Sequence, residues 1–290
     1  MNIEILQMLL DSGLDPNFGD RAGRTALHCL IRKMHYQKMF NRNEGDADQL
    51  LGAYMKTLLI YGANPNAQDV NGSTPMHSAA IYNYPGCSSV LKDYGGNVEM
   101  EDSRGMTPFL KAVEFGSFQV MQELASLGVN VHRWDKFGKT ALHAMGQFAR
   151  VQRMQCMKFL IGCGLDVNQQ DNEGNTCLHL AARSKAPEDI IVELLQNGAD
   201  ANILNNLGRS PLYEYLDNEY LWTEANCSYI VLSYSPEKGS FPKTQVTPGV
   251  SSFEGLCRIL DKQHEFASTT KPENFLCSSE NRSPQNSPTF

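Results

Sequence analysis

One short pattern, Asp-x-x-Gly-x-Thr-x-Leu-His, returns along the chain at a nearly fixed interval, and a fixed interval restricts the fold more than composition does. It opens at Asp20, with Gly23, Thr25, Leu27 and His28. It returns at Asp69 (Gly72, Thr74, Met76, His77), Asp102 (Gly105, Thr107, Phe109, Leu110), Asp135 (Gly138, Thr140, Leu142, His143) and Asp171 (Gly174, Thr176, Leu178, His179). A degenerate copy opens at Asn205, where Tyr213 stands in the histidine position. Asp69, Asp102 and Asp135 are 33 residues apart. A second marker fixes the register: Gly13, Gly62, Gly95, Gly128, Gly164 and Gly198 each lie seven residues before a start and open a Gly-x-Asn/Asp-type turn.

The local chemistry of each unit predicts two short helices. Threonine or serine before a Pro/Ala-Leu step is a good N-cap, and proline or alanine suits the first turn. The second helix is exemplified by residues 188–196, where Ile190, Ile191, Leu194 and Leu195 fall at helical spacing. The glycine that follows supplies a left-handed C′ residue. The Asn/Asp/Gly-rich stretch before the next start predicts a hairpin-like finger. One such unit cannot bury its own apolar face, so neighbours must stack.

A 33-residue period with Thr-Pro-Leu-His-like openings resembles the ankyrin repeat, over roughly residues 1–232. The resemblance implies an all-α solenoid of paired antiparallel helices with hairpin-like fingers. Its units run 1–19 (second helix only), 20–68 (with an insertion near 32–55), 69–101, 102–134, 135–170 and 171–204. A degenerate capping unit at 205–234 has its second helix expected at 222–234. The missing first helix before residue 3 reads as an N-terminally shortened product or an incomplete gene model. Residues 235–290, rich in Ser, Thr and Pro, read as a disordered tail, in which Ser283-Pro284 and Ser287-Pro288 match proline-directed phosphorylation sites. The insertion carries Arg32, Lys33, His35, Lys38 and Arg42 beside Tyr36 and Phe40. An insertion in a solenoid maps to a loop or a longer helix on one face; this one reads as a solvated loop, with a partner-binding elaboration as the alternative.

Composition narrows the function. The formal net charge is −7 and the pI about 5.5, which speaks against nucleic acid as the partner. None of the eight cysteines forms a Cys-x-x-Cys pair, so zinc ribbons and thioredoxin-like sites lack their signature. No secretory signal or membrane-length apolar run is visible. These features predict an intracellular, cytoplasmic protein with free thiols, the nucleus left open. The periodic histidines, His28, His77, His143 and His179, lie too far apart for adjacent members to share a metal, since packed helices sit about 10 Å apart. They are expected to be structural, as the resemblance also implies. No catalytic residue, metal or cofactor is expected, and the chain reads as a non-enzyme.

What remains is surface. The resemblance implies a protein-binding scaffold or adaptor, expected to be monomeric, that engages an unidentified protein partner through finger tips and the concave face. The candidate binding residues are Arg104, Arg133, Trp134, Lys136, Phe137 and Leu207. The fourth finger stands out because Trp and Arg are frequent hot-spot residues. The alternative for Trp134 is packing on a neighbouring finger. Residues 252–260, Ser-Phe-Glu-Gly-Leu-Cys-Arg-Ile-Leu, resemble the opening of a SOCS box, with Phe253 in the Leu position and Cys257 in the Cys position. The match stops at Asp261. It implies a second reading, the substrate-recognition subunit of a ubiquitin ligase with a truncated or diverged box and an elongin-type partner.

Overall fold

The computed structural model describes the backbone of residues 3–40, 44–147, 153–184 and 186–217. The expected helix at 222–234, the tail, the SOCS-like segment and the two Ser-Pro sites lie outside the described residues. Twelve helices occupy the described chain, and its only β-type pairing is an isolated antiparallel bridge between Trp134 and Thr140. They are α1 (Ile3–Asp11), α2 (Ala26–Phe40), α3 (Glu44–Ile60), α4 (Pro75–Tyr82), α5 (Cys87–Asp93) and α6 (Pro108–Phe115). The series continues with α7 (Phe118–Ser126), α8 (Ala141–Gln147), α9 (Arg153–Gly162), α10 (Cys177–Arg183), α11 (Glu188–Gln196) and α12 (Pro211–Asp217). The first helices, α2, α4, α6, α8, α10 and α12, stack in series, and each from α2 to α10 packs on its own second helix.

The motif residues make this stack. Leu27, Met76, Phe109, Leu142 and Leu178 are buried at one equivalent position of the first helices. Leu58, Leu91, Leu124, Leu160 and Leu194 are buried at one position of the second. A fully buried leucine contributes roughly 1.5–3 kcal/mol. Thr74 and Thr107 cap α4 and α6 by accepting from the backbone N–H groups of His77 and Leu110.

The four histidines clamp one repeat to the next. Nε2 of His28, His77 and His143 lies 2.9 Å from the carbonyls of Ser73, Met106 and Asn175, and that of His179 lies 3.1 Å from Arg209 O. A carbonyl only accepts, so Nε2 carries the proton. Nδ1 then accepts from the backbone N–H of Thr25, Thr74, Thr140 or Thr176 at 3.1–3.2 Å.

The insertion differs from the expected loop. It lengthens both helices of its repeat: α2 has 15 residues and α3 has 17, against 8 and 7 for α4 and α5. Met34, Leu51, Tyr54 and Met55 are buried, so the added turns have an apolar face to cover. The His35 ring stacks on Tyr82 of the following repeat, centroids 4.8 Å apart. Lys38, Phe40 and Arg42 fall among residues 37–48, whose side chains lie outside the described set.

Candidate functional site

Each finger is a tight turn organised by its start residue. The Asp135 backbone N–H donates to Lys139 O, and its carboxylate Oδ1 accepts from Phe137 N and Lys139 N, both at 2.9 Å. The same pair of bonds recurs at Asp20, Asp69, Asp102 and Asp171, and Asn205 makes it through its amide oxygen.

The fingers are then joined tip to tip by main chain. Val70 N donates to Ala22 O, Ser103 N to Asn71 O, Lys136 N to Arg104 O, Asn172 N to Phe137 O and Asn206 N to Glu173 O, all at 2.9–3.0 Å. Close approach of this kind needs glycine. Gly138 has φ +73°, and a Cβ there would lie 2.9 Å from Asn172 N. The second marker has a matching role. Asn66 donates from Nδ2 to Gly95 O and accepts from Asn97 N, and Asn168 does the same with Gly198 and Asp200.

With the backbone spent on the ladder, side chains at the tips are left for solvent. Trp134 is 64% exposed and Phe137 55% exposed; packing of Trp134 into a neighbouring finger is not observed. Arg133 pairs with Glu101 of the third finger. Arg104 pairs with Glu114 at 2.9 Å, and Lys136 Nζ donates to Ser103 O at 2.8 Å. Lys139 Nζ lies 5.9 Å from the Phe137 ring centroid. A notch of about 100 Å³ opens between the third and fourth fingers, lined by Met106, Leu110, Ala144 and Phe137 and by two charges of each sign, Arg104 and Lys139 with Glu114 and Asp135. Leu207 is apart from this group, two fingers on, and is 73% exposed. Leu204 on the same finger is 55% exposed; the candidate set missed it, although it stands in the same place before its start as Trp134.

Beneath the fingers lie charges that the motif did not announce. Lys111, buried on α6, sits 3.2 Å from both Asp102 and Glu114. In the sixth repeat the equivalent residue is Glu214, also buried, which accepts from Asn205 Nδ2 at 3.1 Å.

Two buried thiols are held back from reaction. Burial pushes the Cys156 thiol up to about 11 and the Cys177 thiol up to about 12, away from thiolate chemistry. Burial lowers the pKa of His28, His77, His143 and His179. Among the described residues no group of three His, Cys, Asp or Glu side chains is placed to hold a metal ion. No described helix is long and apolar enough to cross a membrane.

Stacked helix pairs carrying a row of hydrogen-bonded fingers define a repeat solenoid built for contact with other macromolecules. The chain belongs to the ankyrin-repeat family: the family described as ankyrin repeats (3 copies) matches residues 50–135, 128–205 and 144–222. The family is one of protein–protein interaction modules. An ankyrin repeat protein of fowlpox virus (strain NVSL) is 43% identical over 77 residues, covering 26% of this chain and 18% of that protein. Neurogenic locus notch homolog protein 1 of Xenopus laevis is 50% identical over 54 residues, 18% of this chain and 2% of that protein. The chain thus spans less than a fifth of the length of these relatives. The crystal structure of the human ASB11 ankyrin repeat domain superposes with a TM-score of 0.60 at 25% identity, covering 76% of this chain and 94% of that one.

Proposed function

We propose that this chain is a protein-binding scaffold whose partner docks on the finger tips and the adjoining inner face, with the fourth finger as anchor. One observation carries the reading: Trp134 and Phe137 stand exposed on a finger whose backbone is bonded to both neighbours. A large aromatic on a rigid support loses little freedom on binding, which favours a hot spot. The surrounding cations, Arg133, Lys136 and Lys139, supply a polar rim.

Quantitative affinity purification of the wild type against Trp134→Ala, Phe137→Ala and Arg21→Ala tests this. The reading expects a partner set retained by Arg21→Ala and lost from the two aromatic variants. Affinity for a purified member of that set should fall at least thirtyfold, about 2 kcal/mol. Retention by the aromatic variants, or loss accompanied by a melting point lower by several degrees, defeats it.

A second reading, the substrate-recognition subunit of a ubiquitin ligase, is supported by Phe253 and Cys257 at SOCS-like spacing. Co-purification of elongin that Cys257→Asp abolishes would favour it, and its absence would remove it.

A further inference from the structure

We infer that fingers four to six recognise an extended, acidic segment of the partner that carries two apolar side chains six residues apart. This deepens the protein-binding reading and rests on it.

The argument begins with an alternation. The residues just before and two after each start are Trp134 and Phe137 on finger four, and Leu204 and Leu207 on finger six, all exposed. On finger five they are Gln170 and Glu173. Both of these are engaged within the array. Gln170 Nε2 donates to Gly174 O and Leu204 O, and Glu173 Oε2 accepts from Asn175 Nδ2. Finger five is therefore a polar spacer between two apolar anchor points.

Stacked helices are 8–10 Å apart, which places fingers four and six about 16–20 Å apart. An extended chain advances about 3.3 Å per residue, so about six residues bridge them. Side chains six apart in a strand also face the same way. The finger backbones are already paired with one another, so no free edge is offered for strand addition, and recognition must run through side chains.

Charge sets the other half of the pattern. Finger four concentrates Arg133, Lys136 and Lys139 in a chain of net charge −7. Neither Lys136 nor Lys139 has an ion-pair partner among the described residues. The notch between fingers three and four is balanced in charge, Glu114 and Asp135 against Arg104 and Lys139, so the free cations act from the outer side of the finger. An Asp or Glu of the partner lying beside the Phe137 ring would meet the Lys139 ammonium, 5.9 Å from that ring, while its neighbour in sequence reaches Trp134.

The test is a library of random sixteen-residue peptides displayed on phage and selected on the immobilised full chain, its Trp134→Ala and Leu207→Ser variants, and Lys139→Glu. All variants are first checked for unchanged melting. Enrichment of peptides with two large apolar residues six apart and an acidic residue on one flank is expected. Recovery should fall at least tenfold on either apolar-anchor variant, and Lys139→Glu should exchange the acidic preference for a basic one. Peptides with no such spacing, anchors at the eleven-residue spacing of a helix, or no enrichment at all overturn the inference. If such off-pattern peptides still depend on Trp134, partner binding at the fingers stands and only the extended acidic segment fails. If binding is indifferent to Trp134 and Leu207 alike, both fail.

Discussion

Changing Asn205 to Asp adds one charge with almost no change of shape, and the sixth repeat should tolerate it poorly. Five of the six starts are aspartates, so by the repeat pattern alone this is a repair toward consensus. The structure argues the reverse. Asn205 Nδ2 donates to Asn175 Oδ1 at 2.9 Å and to Glu214 Oε1 at 3.1 Å, and both Asn205 and Glu214 are buried. The variant replaces those two donations with a carboxylate facing another. Two like charges about 4 Å apart at an effective dielectric near 20 repel by about 4 kcal/mol. The lost hydrogen bonds add about 1 kcal/mol each. Arg209, 3.8 Å from Glu214, offsets part of this. A net cost of about 3 kcal/mol follows, or roughly 6–12 °C for an array of this size if it melts as one unit. Thermal melts, with hydrogen exchange resolved to α12 and the sixth finger, measure it. Glu214→Gln in the variant background should restore most of the loss. A melting point within a degree of the wild type, or a deficit that Glu214→Gln does not relieve, would refute the pairing argument.

Three further outcomes follow from the same geometry. His143→Ala removes bonds to Thr140 and Asn175 and should cost about 2–3 kcal/mol in a urea melt without altering metal content; stoichiometric zinc lost in the variant would contradict a structural role. The four clamp histidines have pKa values lowered by burial, so the unfolded chain takes up protons first. Their contribution is complete above about pH 6.5 and declines as pH falls through the lower folded values; a melting point flat between pH 7.5 and 5.5 would exclude it. Gly138→Ala should cost more than Gly164→Ala, about 3 against about 1 kcal/mol: both residues have positive φ, yet nothing lies within 4 Å of a Cβ at Gly164. Equal costs by denaturant titration would show that close approach between fingers is unimportant.

What the sequence disclosed was whatever a single repeat needs locally. The start aspartate, the glycine after it, the capping threonine and the buried leucine each answer a turn, a cap or a packing position within a few residues, and recurrence amplified them. The insertion was misread because charge suggested a loop, while Met34, Leu51, Tyr54 and Met55 supply buried faces that hold two extended helices. The Lys111 and Glu214 sites were invisible because their partners are defined by the stack. The exposure of Trp134 was undecidable, since the fingers beside it are more than thirty residues away in the chain. Leu204 carried no signal of its own, since a leucine before a start reads equally as a packing residue and only the stack leaves it exposed.

The ladder explains how one finger can serve both stability and recognition. The tip residue after each start donates through its main-chain N–H, and the next accepts through its carbonyl, so the main-chain ladder does not depend on side-chain identity, although Lys136, Asn172 and Asn206 add side-chain bonds across it. Within this chain that freedom is visible: the residue before the start is Gly19, Gln68, Glu101, Trp134, Gln170 or Leu204 on the same turn. Cross-finger side-chain ties such as Arg133 to Glu101 are exposed and worth little. The start aspartate and the glycine three residues on have no such freedom, because one organises the turn and the other lets the next backbone approach. Trp134 and Gly138 are four residues apart on one finger, yet truncating the first should weaken binding and spare the melt, whereas adding a methyl to the second should lower the melt through the ladder itself.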